Sequence, residues 1–279
     1  MKQSIWRTRF LLAVVCAVPL AAHGQDDARL PLWEVGVIAG AVSTPAYPGS
    51  SERANRALAA PAIIYRGKVF RSDQSGVNAR LLKSDVLELD VGFAASLPSR
   101  SNAGAAREGM PDLGTLIEAG PRLKINVARF SETARVRLDL PVRGVFELRG
   151  GVRNQGWTFE PKLVYEVRER AGLWSADAHL GAVWGSRKIN GYFYDVQPQF
   201  ATLDRPGYEA DAGLMLVRVG VSASRRINPD VRVFGFLRHE TYANAANRDS
   251  PLMKRRAGSS AGFGVAWTLR RSERQAAGN

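Results

Sequence analysis

Strict alternation of apolar and polar residues from 117 to 127 is the sequence feature that most constrains the fold. Its two faces are Ile117, Ala119, Pro121, Leu123, Ile125 and Val127 against Glu118, Gly120, Arg122, Lys124 and Asn126. A period of two predicts a β-strand, because successive side chains leave opposite sides of the pleat. Its length suits a strand that crosses a bilayer at a tilt, which needs about 9–11 residues. Charges on one face and apolar groups on the other indicate a barrel wall between lipid and a polar lumen.

Six further segments repeat this alternation along the chain. They cover residues 33–41, 87–93, 135–143, 157–167, 176–184 and 261–269. In each segment apolar residues share one face, while the other face consists mainly of charged residues, glycine and small residues. The repeated pattern predicts an all-β chain folded as a transmembrane, antiparallel, up-and-down β-barrel.

The lengths of the connections predict the number of strands. Long connections cover 43–57, 98–113, 186–207 and 244–257, and short ones fall near 66–67, 83–84, 129–133, 168–172 and 226–230. Outer-membrane barrels place long loops outside the cell and short turns in the periplasm. This separation requires residues 68–83 to form two short strands with a tight reversal near Asp73–Gly76. The count is then twelve, with both termini in the periplasm; ten strands is the alternative if 68–83 is one bent strand.

Some residues conflict with regular strands. Four prolines lie inside the predicted strands, namely Pro61, Pro121, Pro141 and Pro161. Each removes a hydrogen bond from the ladder, so a local bulge is expected at each of them. Farther along, alternation from Tyr208 to Leu216 is followed by Arg218 on the apolar face. That placement predicts that Arg218 lies at the membrane rim.

The N-terminus has the pattern of an export signal. Three basic residues precede an apolar run from Phe10 to Leu20, and small residues flank His23. Because this run is well below the ~20 residues of a membrane-spanning helix, residues 1–24 are predicted to be a signal peptide cleaved near Gly24–Gln25.

Cleavage would set the composition of the mature chain. The only cysteine, Cys16, lies in the signal, so neither disulfides nor thiol chemistry are expected. Three of the 39 basic residues and none of the 26 acidic ones are lost, which leaves a formal net charge of +10. Either this charge belongs to solvated loops and lumen arginines, or it serves to attract polyanions such as lipid head groups. Residues 25–270 are assigned to an outer-membrane barrel and 271–279 to a periplasmic tail.

Residues for catalysis or cofactor binding are scarce. The mature chain keeps only His179 and His239, and His239 is not part of an H-E-x-x-H zinc motif. His179 alternates with Asp177 and is expected to be a polar lumen residue. With no metal-ligand spacing, nucleotide loop or basic helix, the sequence predicts a protein that is not an enzyme, holds no cofactor and binds no nucleic acid.

Charged residues on the polar strand faces are expected to line the lumen. They are Glu118, Arg122, Lys124, Arg135, Arg137, Asp139, Glu160 and Lys162, together with Arg143. Either the basic members make a channel selective for anions, or the two signs pair and seal the lumen.

The long loops leave several alternatives open. Tyr47 is either a surface contact or part of a rigid turn that closes the barrel mouth. The loop 186–207 carries Tyr192, Phe193, Tyr194 and Phe200, which form either an interfacial belt or a recognition surface. Glu108 and Asp112 are expected to fold inward and constrict the lumen, so that deleting residues 103–112 would raise conductance.

The segment from Arg107 to Arg122 resembles the signature of the MipA/OmpV family of outer-membrane proteins. The residues that carry the resemblance are Pro45, Tyr47, Gly49, Ser50, Gly109, Met110, Pro111, Asp112, Gly114, Glu118, Gly120, Pro121 and Arg122. Further matches lie at Tyr208–Gly213 and Asp249–Leu252, in family order. Unlike many outer-membrane proteins, this chain does not end on an aromatic residue.

The resemblance implies a non-enzymatic β-barrel of the Gram-negative outer membrane. The family is named for interaction with MltA, a lytic transglycosylase, and one member is described as a scaffold that joins this enzyme to a penicillin-binding synthase. Charged turns containing Arg129, Arg168, Arg225 and Asp230 would serve such docking from the periplasm. A small porin-like channel and a surface adhesin or antigen are the alternatives.

Overall fold

The computed structural model describes residues 31–67, 69–73, 76–96 and 106–276. The predicted signal peptide, its cysteine and the last three residues of the predicted tail lie outside the described residues. The strands are β1 (Trp33–Pro45), β2 (Arg53–Arg66), β3 (Phe70–Asp73), β4 (Gly76–Lys83), β5 (Leu87–Ser96), β6 (Thr115–Arg129), β7 (Ala134–Leu148), β8 (Val152–Phe159), β9 (Lys162–Arg168), β10 (Trp174–Gly185), β11 (Gly213–Arg226), β12 (Val231–Thr241) and β13 (Ala257–Arg271). One helix, α1 (Arg187–Tyr194), and a 3-10 turn (Pro198–Phe200) lie between β10 and β11.

The strands pair in a ring of twelve positions. All pairings are antiparallel, and β13 pairs with β1 to complete the circle. Both β8 and β9 pair with β7 on one side and with β10 on the other, so together they occupy a single position. The predicted all-β, antiparallel, twelve-stranded architecture is therefore confirmed.

The break between β8 and β9 lies at the predicted irregularity, Pro161. Glu160 and Pro161 separate the two segments, and Pro141 on β7 lies opposite this break, where its carbonyl accepts a hydrogen bond from the Glu160 N–H at 3.1 Å. Neither proline can donate an N–H to the other strand, so the ladder opens where they meet. Pro61, by contrast, stays in register with Val37 and causes no bulge against β1.

The reversal predicted for residues 68–83 agrees with the observed pairing. β3 and β4 are antiparallel, with Asp73 opposite Gly76. Pro31 bridges Gln275, so the chain enters and leaves the described barrel at one end. The described parts of the four long connections lie at the other end, as the loop lengths predicted.

The two faces of the wall have opposite character. The outer face exposes large apolar side chains, among them Phe263 at 70%, Leu237 at 62% and Trp267 at 57%. The opposite face holds charged side chains that are almost fully buried, such as Asp90 and Asp139. A soluble fold would reverse this arrangement, whereas a barrel in lipid requires it. Within the described ranges no helix is long and apolar enough to cross a membrane.

The prediction for Arg218 is wrong. β11 begins at Gly213 rather than Tyr208, and it bulges opposite β10, where Val183 pairs with Leu216 and Trp184 with Leu214. The extra residue, Met215, reverses the alternation, so that Arg218 faces the interior. There it is ion-paired, as described below, instead of lying at a membrane rim.

A close approach between β6 and β7 generates a prediction about Gly120. A Cβ at this position would lie 2.1 Å from the Val142 carbonyl oxygen and 2.8 Å from the Arg143 Cα, both backbone atoms. Gly120→Val should therefore lower the free energy of unfolding by about 3 kcal/mol, through forced separation of the two strands. Urea unfolding of the reconstituted barrel, followed by the mobility shift between folded and boiled protein, measures the change.

The matched control is Ala119→Val, which places the same valine side chain on the lipid-facing side of the same strand. It should change stability by less than about 0.5 kcal/mol. Equal unfolding midpoints for the two variants would show that the close approach does not limit stability.

Candidate functional site

The charged half of the lumen begins with a buried cluster on β5 and β6. Arg122 donates two hydrogen bonds to Asp90, at 2.9 and 2.8 Å, and these side chains are only 4% and 1% exposed. Lys124 bridges Asp90 and Glu88, at 2.8 Å to each. The two-point Arg–carboxylate contact is the strongest geometry for such a pair.

A second cluster joins β7 to β9. Arg135 and Arg137 both bind Glu166, at 2.9 and 2.5 Å, and Arg137 also binds Asp139 at 2.8 Å. Lys162 lies opposite Asp139 in the β7–β9 register. Each charged group of this cluster therefore lies against one of opposite sign.

A third cluster is centred on Glu160, at the break between β8 and β9. Its carboxylate receives Arg218 of β11 at 2.8 Å and Arg143 of β7 at 3.5 Å. Arg218 continues to Glu240 on β12 at 3.1 Å, and Arg143 to Glu118 at 3.5 Å. The Glu160–Arg218 contact skips over β10, whereas the other three join neighbouring strands.

Together the three clusters place every predicted lumen charge on the inner wall. Charges removed from water at this depth are tolerated only when paired and hydrogen-bonded. The pairing matches the alternative in which the two signs seal the lumen. His179, which the alternation placed beside Asp177, lies 3.5 Å from that carboxylate.

A packed cap lies at the barrel end opposite Pro31 and Gln275. We define the cap as residues 46–52, 106–114, 186–212 and 242–256, the described parts of the four long loops. Its interior is apolar and consists chiefly of Tyr47, Met110, Leu113, Ile189, Tyr194, Val196, Ala210, Tyr242, Ala245, Leu252 and Met253, all of them buried. These side chains come from all four loops, so the loops pack against one another over the mouth.

Tyrosine hydroxyls fasten the cap loops to one another. The Tyr47 hydroxyl donates to the Leu252 carbonyl at 2.9 Å, and the Tyr194 hydroxyl donates to the Pro48 carbonyl at 3.1 Å. The Ser250 hydroxyl donates to the Tyr194 carbonyl at 2.9 Å. Burial raises the pKa of Tyr47 to about 12, so its donor stays protonated over the physiological range.

Gly49 allows the closest contact within the cap. Its φ is +84°, which favours glycine, and a Cβ there would lie 2.0 Å from the Met253 sulfur. Its carbonyl accepts the Arg255 N–H at 2.9 Å. Ser50, next to it, is buried and donates to Glu52 at 2.6 Å. Pro45, which ends β1, leads into this turn.

The 106–114 segment holds the cap through Arg107. Its guanidinium donates to the Phe193 carbonyl at 3.0 Å and to the Pro111 carbonyl at 3.3 Å, and it lies 5.9 Å from the centre of the Tyr47 ring. Burial lowers the pKa of this guanidinium. Gly109, with φ of +75°, makes the turn that directs Met110 into the core.

Gly114 closes the segment against the barrel wall. Its N–H donates to the Tyr192 hydroxyl at 2.7 Å and to Glu147 of β7 at 3.2 Å, and Tyr192 itself donates to Glu147 at 3.0 Å. The residues of the family-type signature therefore divide among three places. Those from Tyr47 to Gly114 belong to the cap, Glu118 and Arg122 belong to the lumen clusters, and Gly120 lies at the strand contact.

These contacts bear on three sequence-based expectations for the loops. Tyr47 is 5% exposed, which fits the turn that closes the mouth and not a surface contact. Tyr194 is fully buried, and Tyr192 and Phe193 pack against the cap core, so the aromatics form neither a belt nor a recognition surface. Glu108 and Asp112 are exposed; Arg107 and Met110 turn inward instead.

Two buried asparagines were not found from the sequence. The Asn247 amide donates to the Asn190 side-chain carbonyl at 3.0 Å and to the Asp211 carbonyl at 2.9 Å. Its own side-chain oxygen accepts the Asp211 N–H at 2.8 Å. Asn190 lies on α1 and Asn247 in the last loop, so only the folded chain brings them together. No spacing in the sequence signals this contact.

An apolar outer wall, an ion-paired lumen and a packed cap define a closed transmembrane β-barrel. The sequence carries the family match as well. Residues 37–269 match the model of the MltA-interacting protein MipA family, and the chain belongs to that family. The resemblance seen in the 107–122 segment is thereby confirmed.

Comparison with curated protein sequences found no match. Among solved structures, the chain is similar to a NanC porin at 9% identity and a TM-score of 0.40, over 84% of this chain and 100% of that one. It is also similar to a bacterial polysaccharide outer membrane secretin at 10% identity and a TM-score of 0.41, over 86% of this chain and 99% of that one. An outer membrane channel from Pseudomonas putida F1 matches at 12% identity and a TM-score of 0.38, over 89% of this chain and 100% of that one. The family match, rather than these distant likenesses, identifies the chain.

The buried pair Asp90–Arg122 supplies a stability prediction. Asp90→Asn removes the carboxylate that Arg122 binds at two points in a buried site, so it should lower the free energy of unfolding by about 3–5 kcal/mol. Adding Arg122→Gln should restore at least half of that loss, because the buried positive charge is gone as well. Urea titration of tryptophan fluorescence in lipid measures all three proteins.

The exposed pair Arg187–Glu209, 56% and 89% exposed, serves as the control. Glu209→Gln should cost less than about 1 kcal/mol, as solvent-exposed pairs do. A loss as small for Asp90→Asn would mean that the lumen pairs do not stabilise the barrel.

The cap supplies a prediction about ion conduction. The intact protein should give no steady conductance in planar bilayers, because the cap core covers the mouth. Deleting residues 103–112 removes Arg107 and Met110 from that core, so discrete openings should appear. As a control, deletion of the exposed Leu203 alone should leave the protein without conductance. Steady conductance of the intact protein would contradict a closed mouth.

Proposed function

We propose that this protein is a non-enzymatic interaction protein of the outer membrane that holds a murein-cleaving lytic transglycosylase of the MltA kind. In this role it would also bring that enzyme near a penicillin-binding synthase. The observation that carries the proposal is a closed barrel in a chain of the MltA-interacting family. With the lumen ion-paired and the mouth capped, the surfaces left for function are the two ends of the barrel.

The orientation follows from the lengths of the connections. The short turns share one end of the barrel with Pro31 and Gln275, and outer-membrane barrels keep the end with the short turns in the periplasm. Murein and the enzymes that act on it lie on this side. The export signal proposed for residues 1–24 would deliver the chain to this compartment. We therefore place the docking surface on the turns after β6, β9 and β11.

These turns combine exposed charge with exposed apolar side chains. Arg170 pairs with Glu132 across two turns at 2.6 Å, with both groups more than 70% exposed. Ile227 and Leu173 are 58% and 47% exposed, and they line a cavity of about 240 Å³ together with Arg226 and Arg271. An apolar centre with a basic rim is the usual composition of a protein-docking surface.

A channel is the main alternative and has one observation in its favour, the many charged groups of the lumen. These groups are bound to one another at 2.5–3.5 Å, which leaves few of them to attract a passing ion. A wet pore also needs an open mouth, whereas the cap residues Tyr194 and Leu252 are fully buried. Display of the outer loops as an adhesin is disfavoured for the same reason, since the loops turn their large side chains inward.

The test is binding of a purified MltA-type lytic transglycosylase to the detergent-solubilised full-length protein. Reversing two exposed turn charges, Arg168→Glu with Arg170→Glu, should weaken binding at least about tenfold if the partner presents acidic groups there. The matched control reverses Arg187 and Lys188 at the capped end and should leave affinity unchanged. No binding by the unmodified protein, or equal weakening by both variants, would refute the proposal.

A further inference from the structure

The lumen wall carries an arginine pair that differs from the three ion-paired clusters. Arg226 of β11 and Arg232 of β12 lie directly opposite each other in the strand register, at the barrel end that holds the short turns, and we call them the facing pair. Alternation from Arg218 places Arg226 on the lumen side, and the Arg232 guanidinium donates to the buried Ser224 hydroxyl at 3.1 Å. Like charges directly opposite one another on a sheet destabilise it. An anion between them would remove this cost.

The surroundings of the facing pair do not neutralise it. Each arginine of the three clusters binds a carboxylate, whereas among the described residues neither Arg226 nor Arg232 forms an ion pair. Glu34 of β1 attracts Arg232, but it already binds Arg66 of β2 at 2.6 Å. Arg226 and Arg66 both repel Arg232. Positive charge therefore exceeds negative charge at this point of the described wall.

The cavity of about 240 Å³ at this end opens beside Arg226. It has a charged side, formed by Arg226, Arg271 and Glu34, and an apolar side that includes Leu173, Ile227 and Pro229. Pockets that hold a whole small molecule measure about 300–1,000 Å³, so this cavity suits the end of a chain. A ligand that fits it would carry a negative charge at its tip and small apolar groups behind the tip.

Hydrogen bonds fix the walls of the cavity. The Arg66 guanidinium donates to the Pro31 carbonyl at 2.9 Å. The Arg271 guanidinium donates to the Pro229 carbonyl at 3.2 Å and binds the Asp230 carboxylate. These two arginines are thereby engaged with the chain itself. The basic charge that a ligand can neutralise here is that of the facing pair.

We propose that the facing pair binds the free terminal carboxylate of a murein stem peptide that enters the cavity end first. The carboxylate lies against Arg226 and Arg232, and the methyl side chains of the terminal alanines lie against Leu173 and Ile227. Guanidinium groups suit a carboxylate because each offers paired N–H donors. The apolar side of the cavity favours a carboxylate with adjoining methyl groups over an inorganic phosphate. Murein lies at this end in the orientation given under the proposed function, and the inference rests on that orientation.

Acidic groups of this chain are the alternative occupants. Asp26 and Asp27 closely precede Pro31 in the sequence, and residues 277–279 follow Gln275, which bridges Pro31. Residues 25–30 and 277–279 lie outside the described ranges. A variant with Asp26→Asn and Asp27→Asn, extended after residue 279 by a flexible Gly-Ser linker, removes or displaces these charges. Peptide binding at least about tenfold tighter in this variant would assign the cavity to the chain itself and overturn the inference.

The experiment titrates acetyl-lysyl-D-alanyl-D-alanine, whose only carboxylate is terminal, into the detergent-solubilised full-length protein in a calorimeter. The unmodified protein should bind this peptide, and Arg226→Gln should weaken binding at least about tenfold. The matched control is Arg270→Gln, which removes an exposed arginine of the same barrel end that does not line the cavity, so affinity should stay unchanged. The same peptide with a terminal amide should bind the unmodified protein at least about tenfold more weakly.

The outcomes separate this inference from a structural role and from the proposed function. Equal affinity for the carboxylate and amide peptides, displacement by an equal concentration of inorganic phosphate, or a preference for the peptide with L-alanine would each overturn it. A urea unfolding midpoint of Arg226→Gln below that of Arg270→Gln would show a structural role instead, since loss of a like charge should not destabilise the barrel. A protein that binds the lytic transglycosylase but not the peptide would refute this inference alone. One that binds the peptide but not the enzyme would refute the docking surface alone.

Discussion

Charge pairing inside a wall that faces lipid is the constraint on which this structure depends. Every strand must show hydrocarbon an apolar side, so its polar residues collect in the lumen, where water is scarce. Asp90 with Arg122, and Glu160 with Arg143 and Arg218, show how that concentration is tolerated. Most of these pairs join neighbouring strands, and Glu160 with Arg218 also reaches past β10, so the contacts that neutralise the charges also hold the strands together.

This constraint explains why the strands could be predicted from the sequence and the cap could not. Lipid and lumen act on every residue of a strand, so alternation appears wherever the wall crosses the membrane, as at 117–127. The cap is held by contacts between distant segments, such as Asn190 with Asn247 and Tyr47 with Leu252. Nothing within either segment records its partner. Arg218 was misplaced because one bulged residue, Met215, reverses the pattern without altering composition.

The candidate site divides in the same way. Which charges enter the lumen was predictable from parity, but the choice between an ion path and a sealed interior depended on distances between strands. The family signature was recognisable from its residues, but the contacts that these residues make could be seen only in the folded structure. Glycine at 49, 109 and 120 supplies turns and close contacts, and Arg107 binds carbonyl groups of two loop segments.

If the cap faces the outside of the cell, as proposed above, its tight packing has a consequence for recognition. Arg205 donates to the carbonyl groups of Ala106, Glu108 and Phe200. The loop that carries it is therefore bound to the rest of the cap. A protease needs several residues of extended chain, and an antibody raised against linear peptides needs the same. The described part of the cap offers little extended chain to either of them. A molecule that recognises this protein from the medium would have to bind its folded surface.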